Sequence, residues 1–530
     1  MPASLSESSV IMNTSADQNP GSGHRNIVYY FFGEPIRDTW LSTIVVCFMI
    51  VTCLALFWFP LKRIPANLEI NYNEGWNAYQ AARVANGIPL YRTPPGSFGT
   101  GTGYPPLSFH LISLLGTSTT FTVIGRWISL ISLLMTGVFV ALMVRLGGAS
   151  LHAVVFSFLL YEIGIAILLP DRIGMNDPQL LAEALSTAGL YFYLRNPVSS
   201  PFLCLSALLF CLGGFTKQTM LAFPAAVAID LLLKSRRAFA VWAAAMLVSA
   251  GSLMGLTYWS DGPYLLRHLT GAARTYSYHL AWSQFHHYVL NFQTLLVIAT
   301  AWSICMLRSR FSFVAAFVMS HLLAFSLAGG FGVDMNIFFN PLAATVIVCG
   351  IAVSEIALPR TDLRVPLMNS AAALMFGLFA ISIMIFVPGQ LRRNRQQLRL
   401  LPAHASEFHS AVELLKTRPG PALCESHLLC YEAGKPFEYE PFSVQEQLET
   451  GLLREDDVFQ LVRTHHFQAV EIALREDEEK LNDGELRASL TSDQKEPGKQ
   501  RRFTQKFMNE LLENYQLSLR TSEMAVFCPK

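Results

Sequence analysis

The sequence is short of charge. Lys, Arg, Asp and Glu make up 15% of its 530 residues, where a soluble globular chain carries about 25%. With 52% of the residues hydrophobic, that deficit excludes a disordered protein and argues against a soluble enzyme. An excess of one sign is missing too. The net charge of +1 excludes a nucleic-acid binder driven by bulk charge. The nine cysteines contain no CxxC pair, and no His/Cys cluster has zinc spacing. Acid is scarce early in the chain: 15 of the 38 acidic residues precede position 388 and 23 follow it. The chain therefore has two physical regimes, a long apolar one and a final stretch of about 140 residues, ample for one small domain.

A helix crosses a bilayer with about 20 apolar residues. Eleven segments qualify, near 39–60, 122–144, 150–170, 178–194, 200–216, 219–233, 238–259, 290–307, 311–330, 341–357 and 366–387. The expected fold class is mainly α: a polytopic transmembrane helix bundle of about eleven helices, followed by a small α/β extracytoplasmic domain. Alternate short loops carry Arg145, Arg195, Lys234 with Arg236 and Arg237, Arg308 with Arg310, and Arg360 with Arg364. Basic short loops stay in the cytoplasm. An odd number of crossings then places the N-terminus inside and everything after 388 outside. The expected domains are a polar, disordered N-terminus (1–38) without a secretory signal, a membrane module (39–387) with a long first outer loop (61–121), and a soluble outer domain (388–530). Cys424, Cys430 and Cys528 fall in the outer domain, where an oxidising compartment leaves one disulfide open. Arg392, Arg393, Arg395 and Arg399 stand where the chain leaves the membrane, placed to meet lipid phosphates.

The chemistry-bearing residues sit in the outer loops. The first loop reads Asn73-Glu74-Gly75-Trp76-Asn77-Ala78-Tyr79, then Gly87-Ile88-Pro89-Leu90-Tyr91 and Tyr104-Pro105-Pro106. Residues 74–86 read as a short helix capped by Asn73, with Trp76, Tyr79 and Val84 available to the membrane interface. Glu74 in its first turn either complements the helix dipole or does chemistry. The second loop carries Asp171, Arg172 and Asp177 before Pro178. Asp177 reads as a helix cap, yet two carboxylates and an arginine at membrane level are costly. Lys217, between Thr216 and Thr219, either snorkels or binds a lipid phosphate. Residues 260–290 are aromatic and basic, with Arg267, Arg274 and His279, and read as an amphipathic interface helix or a polyprenyl-phosphate holder. The fifth loop offers Asp334 and Asn336 among glycines, polar groups suited to a sugar. A transporter or flippase of lipid-linked sugars is the rival class, but it scatters polar groups near the midplane, whereas these converge on one face.

Together the motifs Asn73-Glu74-Gly75-Trp76-Asn77-Ala78-Tyr79, Gly87-Ile88-Pro89-Leu90-Tyr91, Tyr104-Pro105-Pro106, Asn176-Asp177-Pro178 and Thr216-Lys217-Gln218 resemble those of the GT-C glycosyltransferases. That group includes the protein O-mannosyltransferases, the lipid A aminoarabinose transferase and bacterial transferases acting on lipopolysaccharide cores. The resemblance covers about 40–390. It implies a polyprenyl-phosphate sugar donor, a glycan, lipid or protein acceptor, and usually an inverting transfer. By resemblance Glu74 is the base, and Asp177 or Asp171 orients the acceptor or supports a cation. Lys217, with Arg267 or Arg274, holds the phosphate, while Arg172, Tyr104, His279, Asp334 and Asn336 complete the expected substrate-binding set. A divalent cation is open with two carboxylates. The outer domain reads as helix 404–417, strand 421–425, helices 443–451 and 455–464, strand 467–473, a charged loop 475–500, helix 503–515 and strands 516–520 and 523–528. This is a small Rossmann-like layer without a Gly-rich phosphate loop, expected to recognise acceptor or cover the site.

Overall fold

A computed structural model of the chain describes residues 40–93, 98, 99, 101–270, 275–357, 365–475, 477–492 and 502–530. The expectations for 1–38, Arg274, Arg360 and Arg364 lie outside these residues. The chain opens with α1 (Trp40–Arg63), and the long first loop folds into α2 (Asn73–Ala85) and α3 (Leu107–Leu115). Then follow α4 (Phe121–Leu146), α5 (Leu151–Leu168), α6 (Gln179–Arg195), α7 (Ser200–Gly214), α8 (Ala222–Lys234) and α9 (Arg236–Ser260). After the short α10 (Leu265–Thr270) come α11 (Tyr278–Met306), α12 (Phe311–Ala328), α13 (Phe339–Ala357) and α14 (Val365–Met384). Among the described residues seven helices, α1, α4, α5, α9, α11, α12 and α13, are long and apolar enough to cross a membrane. With α6, α7, α8 and α14 they coincide with the eleven apolar segments of the sequence. Serines set three of the starts: Ser150, Ser235 and Ser277 each accept a hydrogen bond from the backbone N–H three residues on.

The connections fall on two faces. On one, Arg310 donates to the Gly147 carbonyl at 3.3 Å and pairs with Glu355, and Lys234 donates to Ser312 Oγ at 2.8 Å. On the other, the first loop meets the segments around 172, 217, 267 and 334, which line a common cavity. α11 is two helical stretches that meet at a kink at Phe292 (φ −126°, ψ 20°). The aromatic and basic residues of 278–291 thus form a stretch of their own ahead of the apolar 293–306.

The outer part begins with α15 (Val387–Thr417), longer than expected because Pro402 is tolerated inside it. It continues through β1 (Ala422–Cys424), α16 (His427–Glu432), α17 (Pro441–Glu449), α18 (Glu455–Arg463), β2 (Ala469–Ala473), α19 (Asp483–Leu490), α20 (Gln505–Asn514), β3 (Tyr515–Arg520) and β4 (Met524–Pro529). The strand order is β1-β2-β4-β3, with β1 parallel to β2 and the other pairs antiparallel. The sheet is therefore mixed, and the Rossmann-like reading is corrected: one crossover makes one parallel pair, and the last two strands form a hairpin. Part of the expected charged loop is α19, held by a capping box of Asn482 and Glu485. A disulfide joins Cys424 at the end of β1 to Cys430 in α16.

One apolar core lies wholly in this domain around Val462, Val470, Ile472, Phe507 and Phe527. A second is shared: Leu68 and Trp76 of the first loop pack with Val412, Leu429, Phe437 and Val526. Trp76 and Tyr79 thus lie under the outer domain, with the Tyr79 ring stacked on Phe437 at 4.2 Å, and not on the membrane interface. Gly75 permits this contact, since a Cβ there would overlap the backbone of His427 and Leu428.

The eleven-segment expectation puts an odd number of crossings between Arg237 and Lys480. Cysteines introduced at these two positions, in a background without the free cysteines, are expected to react with an impermeant reagent from opposite sides. Labelling of both from one side would break the arrangement.

Candidate functional site

Glu74 is completely buried. Arg126 Nε and Nη2 donate to Oε1 and Oε2 at 2.9 and 2.7 Å. The Asn176 N–H donates to Oε1 and the Ile70 N–H to Oε2, both at 2.8 Å. An ionised carboxylate offers about four lone-pair positions, and all four are taken. Glu74 does not line the cavity beside it, whereas Tyr72, Asn73 and Trp76 do. The expectation of Glu74 as the base therefore meets a carboxylate built into the scaffold. Asn73 is not a cap either; it is the first residue of α2, whose start lacks a side-chain cap. Nothing in the local pattern marks Arg126 as the partner beyond one arginine set near the start of an apolar helix.

The second loop does bring charges together. Arg172 donates to Asp177 Oδ2 at 3.0 Å and to Asp334 Oδ2 at 2.8 Å. Burial opposes the charge of Arg172, but the two carboxylates hold its pKa above the ordinary value. Burial likewise raises Asp177, yet Lys217 and Arg172 outweigh it and keep this carboxyl below the usual range. Asp177 Oδ1 also accepts from the Gln179 N–H at 2.8 Å, so it caps α6 as well. Asp171 goes elsewhere: its side chain is 60% exposed and pairs with Arg63 at 3.2 Å.

These groups border a cavity of about 730 Å³ between the outer loops and the outer domain. Tyr104, Arg172, Lys217, Arg267, Asp334 and Asn336 all line it. Lys217 Nζ stands 5.4 Å from the centre of the Tyr104 ring. Asp334 is the more open carboxylate, 48% exposed at its side chain. Asp177 sits behind Arg172, and His279 is exposed at the start of α11, away from the lining. Arg274 is outside the described residues.

The outer domain supplies the residues that sequence reasoning missed: His427, Glu440, Phe442 and Arg502. The Arg502 guanidinium lies 3.4 Å from the centre of the Tyr72 ring. Phe442 stacks between Tyr72 and Phe331, at 6.3 and 4.8 Å. A Cβ at Gly332, whose φ is +73°, would overlap Phe442. Among the described residues no group of three or more His, Cys, Asp or Glu is placed to hold a metal ion. Between Asp177 and Asp334 the positive charge is the Arg172 guanidinium itself.

Two outcomes follow from this electrostatics. Glu74→Gln strands the buried Arg126 charge and is expected to destabilise the folded chain by about 3–5 kcal/mol, read as a fall in the thermal midpoint in nanodiscs. The second concerns pH. Burial pushes Glu69 up to about 7 and Glu471 up to about 8, where the first loop meets the outer domain. Their folded values exceed the unfolded ones, so their contribution is full at low pH and is lost as pH rises through 7 and 8. His427, held down to about 4 by burial, acts oppositely but only below about 6.5. The thermal midpoint is therefore expected to fall most clearly between about pH 6.5 and 8 and to level off above that, with a smaller fall in Glu471→Gln.

No protein-family model and no curated protein matches the sequence. Solved structures match in fold. ArnT from Cupriavidus metallidurans in the apo state superposes with a TM-score of 0.52 at 12% identity, over 92% of this chain and 98% of that one. The Archaeoglobus fulgidus oligosaccharyltransferase in complex with Zn and sulfate superposes with a TM-score of 0.57 at 12% identity, over 92% and 73%. AglB, an oligosaccharyltransferase of the same archaeon in complex with an inhibitory peptide and a dolichol-phosphate, gives 0.50 at 11% identity, over 83% and 70%. Both kinds of protein are GT-C glycosyltransferases, and the chain has the GT-C fold: a multi-pass membrane helix bundle with a small α/β domain.

Proposed function

We propose that the protein transfers a sugar from a polyprenyl-phosphate donor to an acceptor hydroxyl at the outer face of the membrane, with inversion. The observation that carries this reading is the cationic cavity at the ends of the membrane helices. Arg172, Lys217 and Arg267 line it, and Arg502 closes it from the outer domain. A lipid phosphate is already a good leaving group, so the main demand is for fixed cations where its charge grows. Lys217 and Arg267 take the phosphate, with Arg172 held rigid between its two carboxylates. Asp334, Asn336 and Tyr104 offer hydrogen bonds to the sugar. α10 brings Arg267 to the cavity directly after α9, a helix with 6% of its membrane window buried. That open face suits the lipid tail.

Glu74 acts in this reading as a positioning residue that fixes α2 and the second loop. Asp177 positions Arg172. The acceptor is a glycan, lipid or protein with a free hydroxyl. The neighbours in fold support such partners in general, since one is bound to a dolichol-phosphate and another carries a tethered acceptor peptide. The basic short loops assign the N-terminus to the cytoplasm. The Cys424–Cys430 disulfide supports an oxidising compartment for the outer domain, such as the periplasmic side of a bacterial inner membrane.

The test uses the full chain in nanodiscs, a panel of undecaprenyl-phosphate monosaccharides labelled in the sugar, and cell-envelope extract as acceptor. Label is expected to move from donor to extract. Lys217→Ala removes a charged hydrogen bond worth about 1.5–3 kcal/mol, so the apparent KM for donor is expected to rise by about 10- to 100-fold. An unchanged donor dependence would make Lys217 a snorkelling residue. Movement of lipid-linked sugar across a bilayer without transfer would favour a flippase instead.

A further inference from the structure

The transfer proposed above needs a group to take the proton of the acceptor hydroxyl, and the carboxylates on the membrane side are each tied to an arginine. Glu74 has four donors on its two oxygens. Asp177 is held by Arg172 and the Gln179 N–H. Asp334 is held by Arg172 on one oxygen and by its own cap, the Met335 N–H at 2.7 Å, on the other. Across the cavity the outer domain presents a different arrangement. His427 Nδ1 lies 3.0 Å from the Tyr72 carbonyl oxygen. A carbonyl only accepts, so Nδ1 carries the hydrogen and Nε2 keeps its lone pair. Among the described residues Nε2 has no hydrogen-bond partner, although His427 is only 2% exposed. It faces Glu440 Oε1 at 3.7 Å.

Two acceptors facing each other at this distance lack a proton between them. Glu440 is fixed by the Phe442 and Ser443 N–H groups at 3.1 and 2.7 Å, which anchor both oxygens at the head of α17. Both residues line the cavity. The pair also shares one small region with the phosphate-binding cations. Tyr72, Arg172, Lys217, Arg267 and Arg502 line the same cavity as His427 and Glu440.

We propose that Glu440 is the catalytic base of the transfer and that His427 behind it completes a proton-accepting pair. The acceptor O–H bond breaks, and its electron pair forms the new bond to the anomeric carbon. The bond from that carbon to the phosphate oxygen breaks, and its electron pair stays on the phosphate, held by Lys217, Arg267 and Arg172. The proton passes to Glu440 Oε1 and is then shared with His427 Nε2, which closes the 3.7 Å gap and leaves an imidazolium beside a carboxylate. Burial keeps the resting imidazole neutral, with its pKa pushed down to about 4, so the lone pair stands ready near neutral pH. His427 is a positioning and relay residue, since it reaches the acceptor only through Glu440.

This inference rests on the glycosyl-transfer reading, and one experiment separates the two. The nanodisc assay is run on wild type, Glu440→Gln and His427→Asn, with undecaprenyl phosphate binding measured in parallel. Gln keeps oxygen for the α17 cap but takes no proton near neutral pH. Asn keeps a donor toward the Tyr72 carbonyl and removes Nε2. Glu440→Gln is expected to lower kcat by about 100-fold or more, with undecaprenyl phosphate affinity within about twofold of wild type. His427→Asn is expected to lower kcat by about tenfold and to displace the acid limb of the pH–rate profile. If that variant does not fold, His427→Gln is read in the same way. A purely structural histidine predicts a wild-type rate and profile in His427→Asn, which would overturn the pair. Wild-type kcat in Glu440→Gln would overturn it as well, as would loss of undecaprenyl phosphate binding in step with rate. A wild-type chain inert toward every donor in the panel would defeat the transfer reading and this inference together.

Discussion

The ion pair between Glu74 and Arg126 is the constraint from which the outer face is built. Arg126 has five N–H donors and they meet six acceptors: both oxygens of Glu74 and the carbonyls of Arg63, Ile64, Ala66 and Leu68, at 3.5, 3.1, 2.7 and 2.6 Å. Glu74 accepts from the Arg126 guanidinium and from two backbone N–H groups. A buried pair is tolerable only when its remaining hydrogen-bonding capacity is met. Here the requirement is met by backbone from two separate segments, 63–70 and Asn176. α4 therefore cannot keep its arginine without fixing residues 64–70, and α2 cannot keep its glutamate without fixing Asn176.

The rest of the site follows from that fixation. With α2 held, Gly75 presents bare backbone to α16, and the outer domain settles on it. The Glu69 carboxylate accepts from the Leu428 N–H at 2.8 Å, and His427 reaches the Tyr72 carbonyl. The disulfide ties the same short helix α16 back to β1. Arg502 then lies over Tyr72, and Phe442 fills the space between Tyr72 and Phe331. A membrane helix thus sets a loop, the loop seats a domain, and the domain closes the cavity.

The parts of this that depend on local pattern were legible in the sequence. Apolar runs of helix length gave eleven helices in the right places, and the charged outer loops did converge, with Lys217, Arg267, Asp334 and Asn336 on one cavity. What sequence could not show is pairing at a distance. Tyr72 meets Arg502, and Leu428 meets Glu69, across hundreds of residues with no periodicity to link them. The aromatic face of α2 was read as membrane-facing because Trp and Tyr at membrane level usually are; the outer domain that covers it announces itself only once folded. Glu74 reads as the base only by resemblance, and a carboxylate buried there is costly. That cost is real, but Arg126 answers it. The capping box of α19 was the one local signal overlooked, hidden in a charged stretch.

The uneven distribution of acid acquires a physical sense in this arrangement. A phosphate held at the membrane surface is repelled by free carboxylates beside it. On the membrane side Glu74, Asp177 and Asp334 are each paired with an arginine, so the wall facing the lipid is cationic or neutral. In the proposed transfer the proton-accepting carboxylate then belongs on the opposite wall. Glu440 stands there, anchored by backbone N–H groups and not by a guanidinium. A membrane module that binds the anion and an outer domain that receives the proton divide the two demands of the proposed transfer between the two regimes of the chain.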